Sequence, residues 1–96
     1  MGDALFKLER WEEAAIAYGK SSKLNPDFFG SYHNLGDALF KLEKWEEAAI
    51  AYGKSSKLNP EFFWSYYNLG QCLEKLEQWE DALCAYRKAC DLNGEF

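Results

Sequence analysis

Apolar positions recur along the chain with a helical period. Tyr32, Leu35, Leu39 and Leu42 fall at i, i+3, i+7 and i+10, one stripe of a helix spanning roughly 28–42. Gly36 and Ala38 put small residues beside that stripe, which permits close approach of a neighbouring helix. A second stripe follows in Trp45, Ala48, Ala49, Tyr52, Ser55 and Ser56 and ends at Leu58. Glu46 and Glu47 stand in its first turn, and Lys54 and Lys57 near its end, complementing the helix dipole at both ends. Asn59-Pro60 then stops it, because proline has no N–H to donate and its ring clashes with the preceding turn. Two such helices of about 14 residues, joined by a tight turn, make an antiparallel hairpin.

The pattern repeats. Residues Gly2–Leu35 and Gly36–Leu69 differ at only four of 34 positions: Arg10/Lys44, Asp27/Glu61, Gly30/Trp64 and His33/Tyr67. A third, more diverged copy runs from Gly70 to Phe96. We read residues 1–96 as one repeat domain with units 2–35, 36–69 and 70–96, the first unit lacking the front half of its first helix. The expected helices cover roughly 3–8, 12–24, 28–42, 46–58, 62–76 and 80–92. One hairpin cannot cover its own apolar face, whereas stacked hairpins bury a continuous core.

Composition agrees. The β-branched residues are only Ile16 and Ile50, with no valine or threonine, so a sheet protein is excluded and an all-α, soluble domain expected. The formal net charge is −5, which argues against a nucleic-acid partner, because phosphate binding needs a positive field. No apolar run reaches the roughly 18 residues of a membrane span. Cys72, Cys84 and Cys90 are odd in number and match no zinc spacing, so they read as small apolar thiols in helix packing and point to a reducing compartment, the cytoplasm. With one histidine, no nucleophile motif and no phosphate-cradling loop, no catalytic residue, metal or cofactor is assigned. Glu12-Glu13 and Glu46-Glu47 read as first-turn acids on solvated helices.

The period and the residues at fixed places in it closely resemble the tetratricopeptide repeat family. Asn34-Leu35-Gly36 and Asn68-Leu69-Gly70 match the family's first-helix signature, with Tyr32 and Tyr66 in place of its usual tryptophan. Trp11, Trp45 and Trp79 occupy its aromatic turn position, and Ala14, Ala48 and Ala82 its small crossing position. Tyr18, Tyr52 and Tyr86 match the bulky aromatic that follows, and Pro26 and Pro60 the closing proline, where the third unit has Gly94. Gly19 and Gly53 inside the second helices, and Ile16 and Ile50 at positions the family leaves polar, are departures. The resemblance implies an α-solenoid of about three stacked hairpins wound as a right-handed superhelix.

It also implies a function. In this family the first helices line a concave groove that accepts a peptide or partner segment. The corresponding positions are Asp3, Phe6 and Lys7 in unit one, and His33, Asn34, Asp37, Phe40 and Lys41 in unit two. Unit three supplies Trp64, Tyr67, Asn68, Gln71, Glu74 and Lys75. Exposed aromatics among polar groups suit recognition of a protein or peptide. The competing expectation is that Phe6, Phe40 and Trp64 only pack within the groove wall. Family members that clamp acidic chaperone tails need asparagine and lysine where this chain has Asp3, Asp37, Gly30 and Trp64, so an acidic tail should be repelled. The first reading is therefore a protein-interaction scaffold, a fragment of a longer array. The alternative is a recognition or assembly domain appended to a bacterial enzyme such as a glycosyltransferase or methyltransferase. An engineered array fits units one and two but not the idiosyncratic cysteines of unit three. Uncapped ends, with Leu5 and Leu8 at one and Leu83, Tyr86, Cys90 and Leu92 at the other, predict self-association through the ends or by exchange of a terminal helix.

Overall fold

The computed structural model describes the backbone of residues 2–93 and the side chains of residues 10–93. Its five helices are α1 (Gly2–Leu24), α2 (Phe29–Lys41), α3 (Trp45–Leu58), α4 (Phe63–Lys75) and α5 (Trp79–Asn93), with no strand among the described residues. Each helix packs on its neighbours in chain order, α1 on α2 through to α4 on α5, which makes an all-α solenoid of helical hairpins.

The turns inside the α2–α3 and α4–α5 hairpins are alike. The N–H of Leu42 donates to the Ala38 carbonyl at 3.1 Å and that of Lys44 to the Leu39 carbonyl at 2.9 Å. Leu76 and Gln78 repeat this onto Cys72 and Leu73 at 3.1 and 2.8 Å. Such closure satisfies the last helical carbonyls but forces one residue into the left-handed region. Here that residue is a glutamate each time, Glu43 at φ 62° and Glu77 at φ 61°. Between hairpins, Asn25 and Asn59 end their helices, and Phe28 and Phe62 each donate back to the asparagine carbonyl at 3.2 Å.

Four of the six expected helices appear within one residue of their expected ends. The other two, 3–8 and 12–24, are a single helix, so the first unit has no hairpin turn. Residues 2–24 and 36–58 differ only at Arg10/Lys44, yet one string is straight and the other bent. The reason is energetic. A left-handed non-glycine residue costs about 1–2 kcal/mol. In unit two that cost is offset by α2, whose 13 residues pack on both α1 and α3. In unit one the helix instead runs straight through Glu9 and Arg10, so no residue there needs the left-handed region.

The core lies where the helices cross, built from Leu39, Ala48, Ala51, Tyr52 and Cys72, with Ala82, Ala85 and Ala89 buried on α5. Gly36 and Gly70 are essential to these crossings. A Cβ on Gly36 would lie 2.7 Å from Cε1 of Tyr52, and one on Gly70 2.8 Å from Cε1 of Tyr86. Two expectations need correcting. Leu58, placed at the end of a core stripe, is exposed because it lies past the last helix crossing. Cys84, expected in helix packing, is also exposed, whereas Cys72 is buried and Cys90 half-buried.

A polar seam joins α2, α3 and α4. Ser55 and Ser65 share a hydrogen bond at 2.8 Å, and Nδ1 of His33 lies 3.2 Å from the Ser65 hydroxyl. The Tyr52 hydroxyl donates to Oδ1 of Asp37, and Nε2 of His33 lies 3.6 Å from Oδ2 of the same carboxylate. Burial holds His33 below the ordinary histidine range, with the Asp37 charge opposing it in part.

Two outcomes follow from this packing. Nothing lies within 4 Å of a Cβ built on Gly19 or Gly53, so alanine there should stabilise by about 0.5–1 kcal/mol each, read as a higher melting temperature. Gly36→Ala should instead cost about 1–3 kcal/mol, because the Tyr52 ring cannot retreat within the packed core. The histidine gives a pH signature. A base with a depressed folded-state pKa leaves the unfolded chain holding more protons, so His33 costs stability as pH falls below about 6.5. The groups facing it are Asp37 on its own helix, Tyr52 on α3, and Ser65 on α4 with Phe62 just before it. Melting curves between pH 7.5 and 5.5 should show this loss, and His33→Gln should flatten it.

Candidate functional site

The candidate surface is the face of α2 and α4 turned away from the stripe Tyr32–Leu35–Leu39. Helical spacing places His33, Asp37, Phe40 and Lys41 on that face of α2, and Trp64, Tyr67, Asn68 and Gln71 on that of α4. Phe6, with Asp3 and Lys7, lies outside the residues whose side chains are described.

The residues fall into two groups. Several are held in the framework. His33 is half-buried between Tyr52 and Phe62, with ring centroids at 5.4 and 5.0 Å. Phe40 is half-buried and meets Trp45 edge-on at 4.9 Å, so it serves the hairpin turn. Asp37 accepts a hydrogen bond from the Tyr52 hydroxyl while 45% of its side chain stays open to solvent, and half-buried Asn68 approaches the same hydroxyl from α4. Gln71 is half-buried.

Others are displayed. Asn34 and Lys41 are exposed, and Trp64 is 45% exposed despite its size. The indole is propped from two sides. Its ring stacks against Phe63 at 4.6 Å and meets Tyr67 edge-on at 5.9 Å. Tyr67 in turn packs on Tyr86 of α5 at 5.6 Å. Glu74 and Lys75 are exposed beyond it, the Lys75 ammonium lying 5.6 Å from the centre of the Trp45 ring.

Electrostatics here comes from the acids. Burial pushes Tyr86 up to about 12, and the charge and hydrogen bond of Glu74 add to that. Burial also pushes Tyr52 well above the tyrosine range, helped by its bond to Asp37. Cys72 is raised to about 12 by burial first and the Asp37 charge second, so its thiol is inert at neutral pH. Among the described residues, no group of three or more His, Cys, Asp or Glu side chains could hold a metal ion, and no helix is long and apolar enough to cross a membrane.

Two features escaped the sequence reading. One is an aromatic run, Phe28–Phe29–Phe62–His33, with successive ring centroids 5.0–5.7 Å apart, linking the two Asn-Pro turns. The paired phenylalanines after each proline were its only signal. The other is a cleft of about 590 Å³ on the opposite side of α2, walled by Ile16 and Ile50 with Tyr32, Leu35 and Leu39 as its floor. Both isoleucines are 61% exposed there. Leu83 and Leu92 on α5 are exposed too.

Comparison with known proteins places the architecture. Among curated proteins no sequence matches at a significant level. Solved structures match closely in shape. The first TPR of Spaghetti (RPAP3) bound to HSP90 peptide SRMEEVD is 24% identical, with a TM-score of 0.88 over 99% of this chain and 75% of that one. The Arabidopsis OM64 TPR domain is 24% identical, with a TM-score of 0.86 over 99% of this chain and 78% of that one. A crystal structure of MamA is 23% identical, with a TM-score of 0.88, and this chain spans 56% of its length. At these identities the likeness speaks to fold. Family models go further: one for the TPR repeat matches residues 2–43 and 36–77, and one for the tetratricopeptide repeat matches residues 63–96. Repeat period, glycine–tyrosine crossings and family models agree, and the chain belongs to the tetratricopeptide repeat family.

Proposed function

We propose that this domain is a protein-interaction scaffold whose α2–α4 face receives a peptide or partner segment, with Trp64 as the anchor. The observation that carries this reading is the exposure of a large indole that Phe63 and Tyr67 already hold in place. A pre-positioned aromatic loses little conformational freedom on binding, which is why tryptophan and tyrosine dominate interface energetics. Around it, Asn34, Lys41, Asn68 and Gln71 offer donors and acceptors, and Tyr67 extends the apolar floor. His33, Asp37 and Phe40 act beneath them as the wall. The three free cysteines fit a reducing compartment, which we take to be the cytoplasm.

Partner chemistry is constrained by charge. The spaghetti domain is bound to the acidic peptide SRMEEVD. On this chain the Asp37 carboxylate stands partly open on the same face, Glu74 is exposed nearby, and Trp64 occupies a position where a clamp would need a lysine. Acidic segments are therefore disfavoured, and neutral or basic segments with an apolar side chain for Trp64 are favoured.

A peptide-library screen against the 96-residue chain should recover segments of that kind. Trp64→Ala should weaken the best of them by about 2 kcal/mol, roughly thirtyfold, with the circular dichroism spectrum unchanged. Affinity untouched by Trp64→Ala would place recognition elsewhere. Titration with SRMEEVD should show no binding up to roughly 100 μM, a threshold of about −5.5 kcal/mol.

A further inference from the structure

The cleft of about 590 Å³ on the far side of α2 lies between α1 and α3, with Ile16 and Ile50 as walls. A smaller recess of about 170 Å³ continues it past Pro26, Tyr32 and Lys54 to Lys57 and Leu58. Charge is sorted along this groove. α1 ends just before α2 begins, and α3 runs back to the same place, so Lys23, Lys54 and Lys57 gather at the Tyr32 end. The Leu39 end has one base and one acid, Lys44 and Glu47. None of these four lysines is held in an ion pair among the described residues, and the Lys54 ammonium lies 5.6 Å from the centre of the Tyr32 ring. This basic end belongs to a chain of net charge −5. Nor is it a general property of the repeat. One 34-residue period on, Lys44, Ile50 and Lys57 become Gln78, Cys84 and Asp91.

We propose that this groove docks an amphipathic helix of a partner protein, with an apolar stripe two turns long and carboxylates in the turn beyond it. Both isoleucine walls are 61% exposed, so whatever lies between them keeps its outer half in water. A helix with a single apolar stripe suits such a seat. An alkyl chain is apolar all round and would stay largely wetted, whereas small-ligand sites enclose most of their ligand. The floor runs from Tyr32 to Leu39, about 10 Å of helix, which apolar side chains at i, i+4 and i+7 match. Beyond them the partner's carboxylates meet ammonium groups from both walls, Lys23 on α1 and Lys54 and Lys57 on α3.

This preference is opposite to that of the Trp64 face, where Asp37 and Glu74 disfavour acids. The domain thus sorts two kinds of segment by charge, one on each side of α2. SRMEEVD does not probe the groove, because so short a peptide does not hold a helix.

Calorimetric titration of the 96-residue chain with a designed peptide tests this. The probe is alanine-rich and about 15 residues long, with leucines at i, i+4 and i+7 and glutamates in the next turn. A control carries lysines in place of the glutamates. The glutamate peptide should bind about tenfold more tightly than the control at low salt, and the gap should narrow at about 0.5 M salt. Ile50→Ala should weaken it roughly tenfold with the circular dichroism spectrum unchanged. Lys23→Glu combined with Lys54→Glu should turn the preference towards the lysine peptide. No binding, no preference between the two peptides, or indifference to Ile50→Ala overturns the proposal. So does loss of binding with Trp64→Ala alone, which would put the peptide on the opposite face. Two other occupants would show in the same experiments. Dodecanoate binding where the peptide does not would make the groove an alkyl site. A dimer of twice the 11.1 kDa chain mass that Ile50→Ala dissolves would make the occupant a second copy. Either result overturns the proposal as well.

Discussion

The fold depends on one contact, a tyrosine ring laid flat against a glycine in the preceding helix. Tyr52 on Gly36 and Tyr86 on Gly70 set how closely the two helices of a hairpin approach, and no side chain larger than hydrogen fits beneath the ring. The contact has a second end. Because the Tyr52 ring is pinned, its hydroxyl emerges at a fixed place, where Asp37 and Asn68 meet it from α2 and α4. An apolar crossing within one hairpin thus becomes a polar tie to the next. The Ser55–Ser65–His33 bonds reinforce that tie, and Ser21–Ser31 repeat its first link at 3.0 Å between α1 and α2. In this way the spacing between repeats inherits its precision from the spacing within them.

Much of this was legible in the sequence because the determinants are local or periodic. The stripes predicted α2 to α5, Asn-Pro predicted their separations, and Gly36 beside the Leu35–Leu39 stripe signalled a close crossing. The candidate face was legible only as a set of positions. Spacing shows which residues share a side of a helix but not which are already engaged. Phe40 and His33 have the same periodic claim to that face as Trp64. They differ because Trp45 and Phe62, distant in the pattern, happen to reach them. Leu58 and Cys84 were misjudged for a related reason: a helical stripe can extend beyond the length its neighbour covers.

The first unit marks the boundary of such reasoning more sharply. Its 23 helical residues repeat those of 36–58 with one conservative change, Arg10 for Lys44. No propensity scale or pattern can assign one string two conformations. The difference lies in what surrounds each copy: α2 sits between α1 and α3 and recovers through packing what the turn at Glu43 costs.

The pair Gly30 and Trp64 has a consequence for direction. Repeated units offer a bound segment similar stations, so what distinguishes one repeat from the next decides where a partner sits. Gly30 breaks that similarity. The Phe28 ring lies 2.7 Å from where its Cβ would be, whereas Phe62, in the matching position, turns instead towards Phe29 and His33 and leaves room for an indole. The array therefore carries its largest aromatic landmark at Trp64, on a face where His33/Tyr67, Asp37/Gln71 and Phe40/Glu74 also differ between α2 and α4. A segment that finds it is registered along the solenoid, and its polarity is read from which side of the landmark the acidic and basic groups lie.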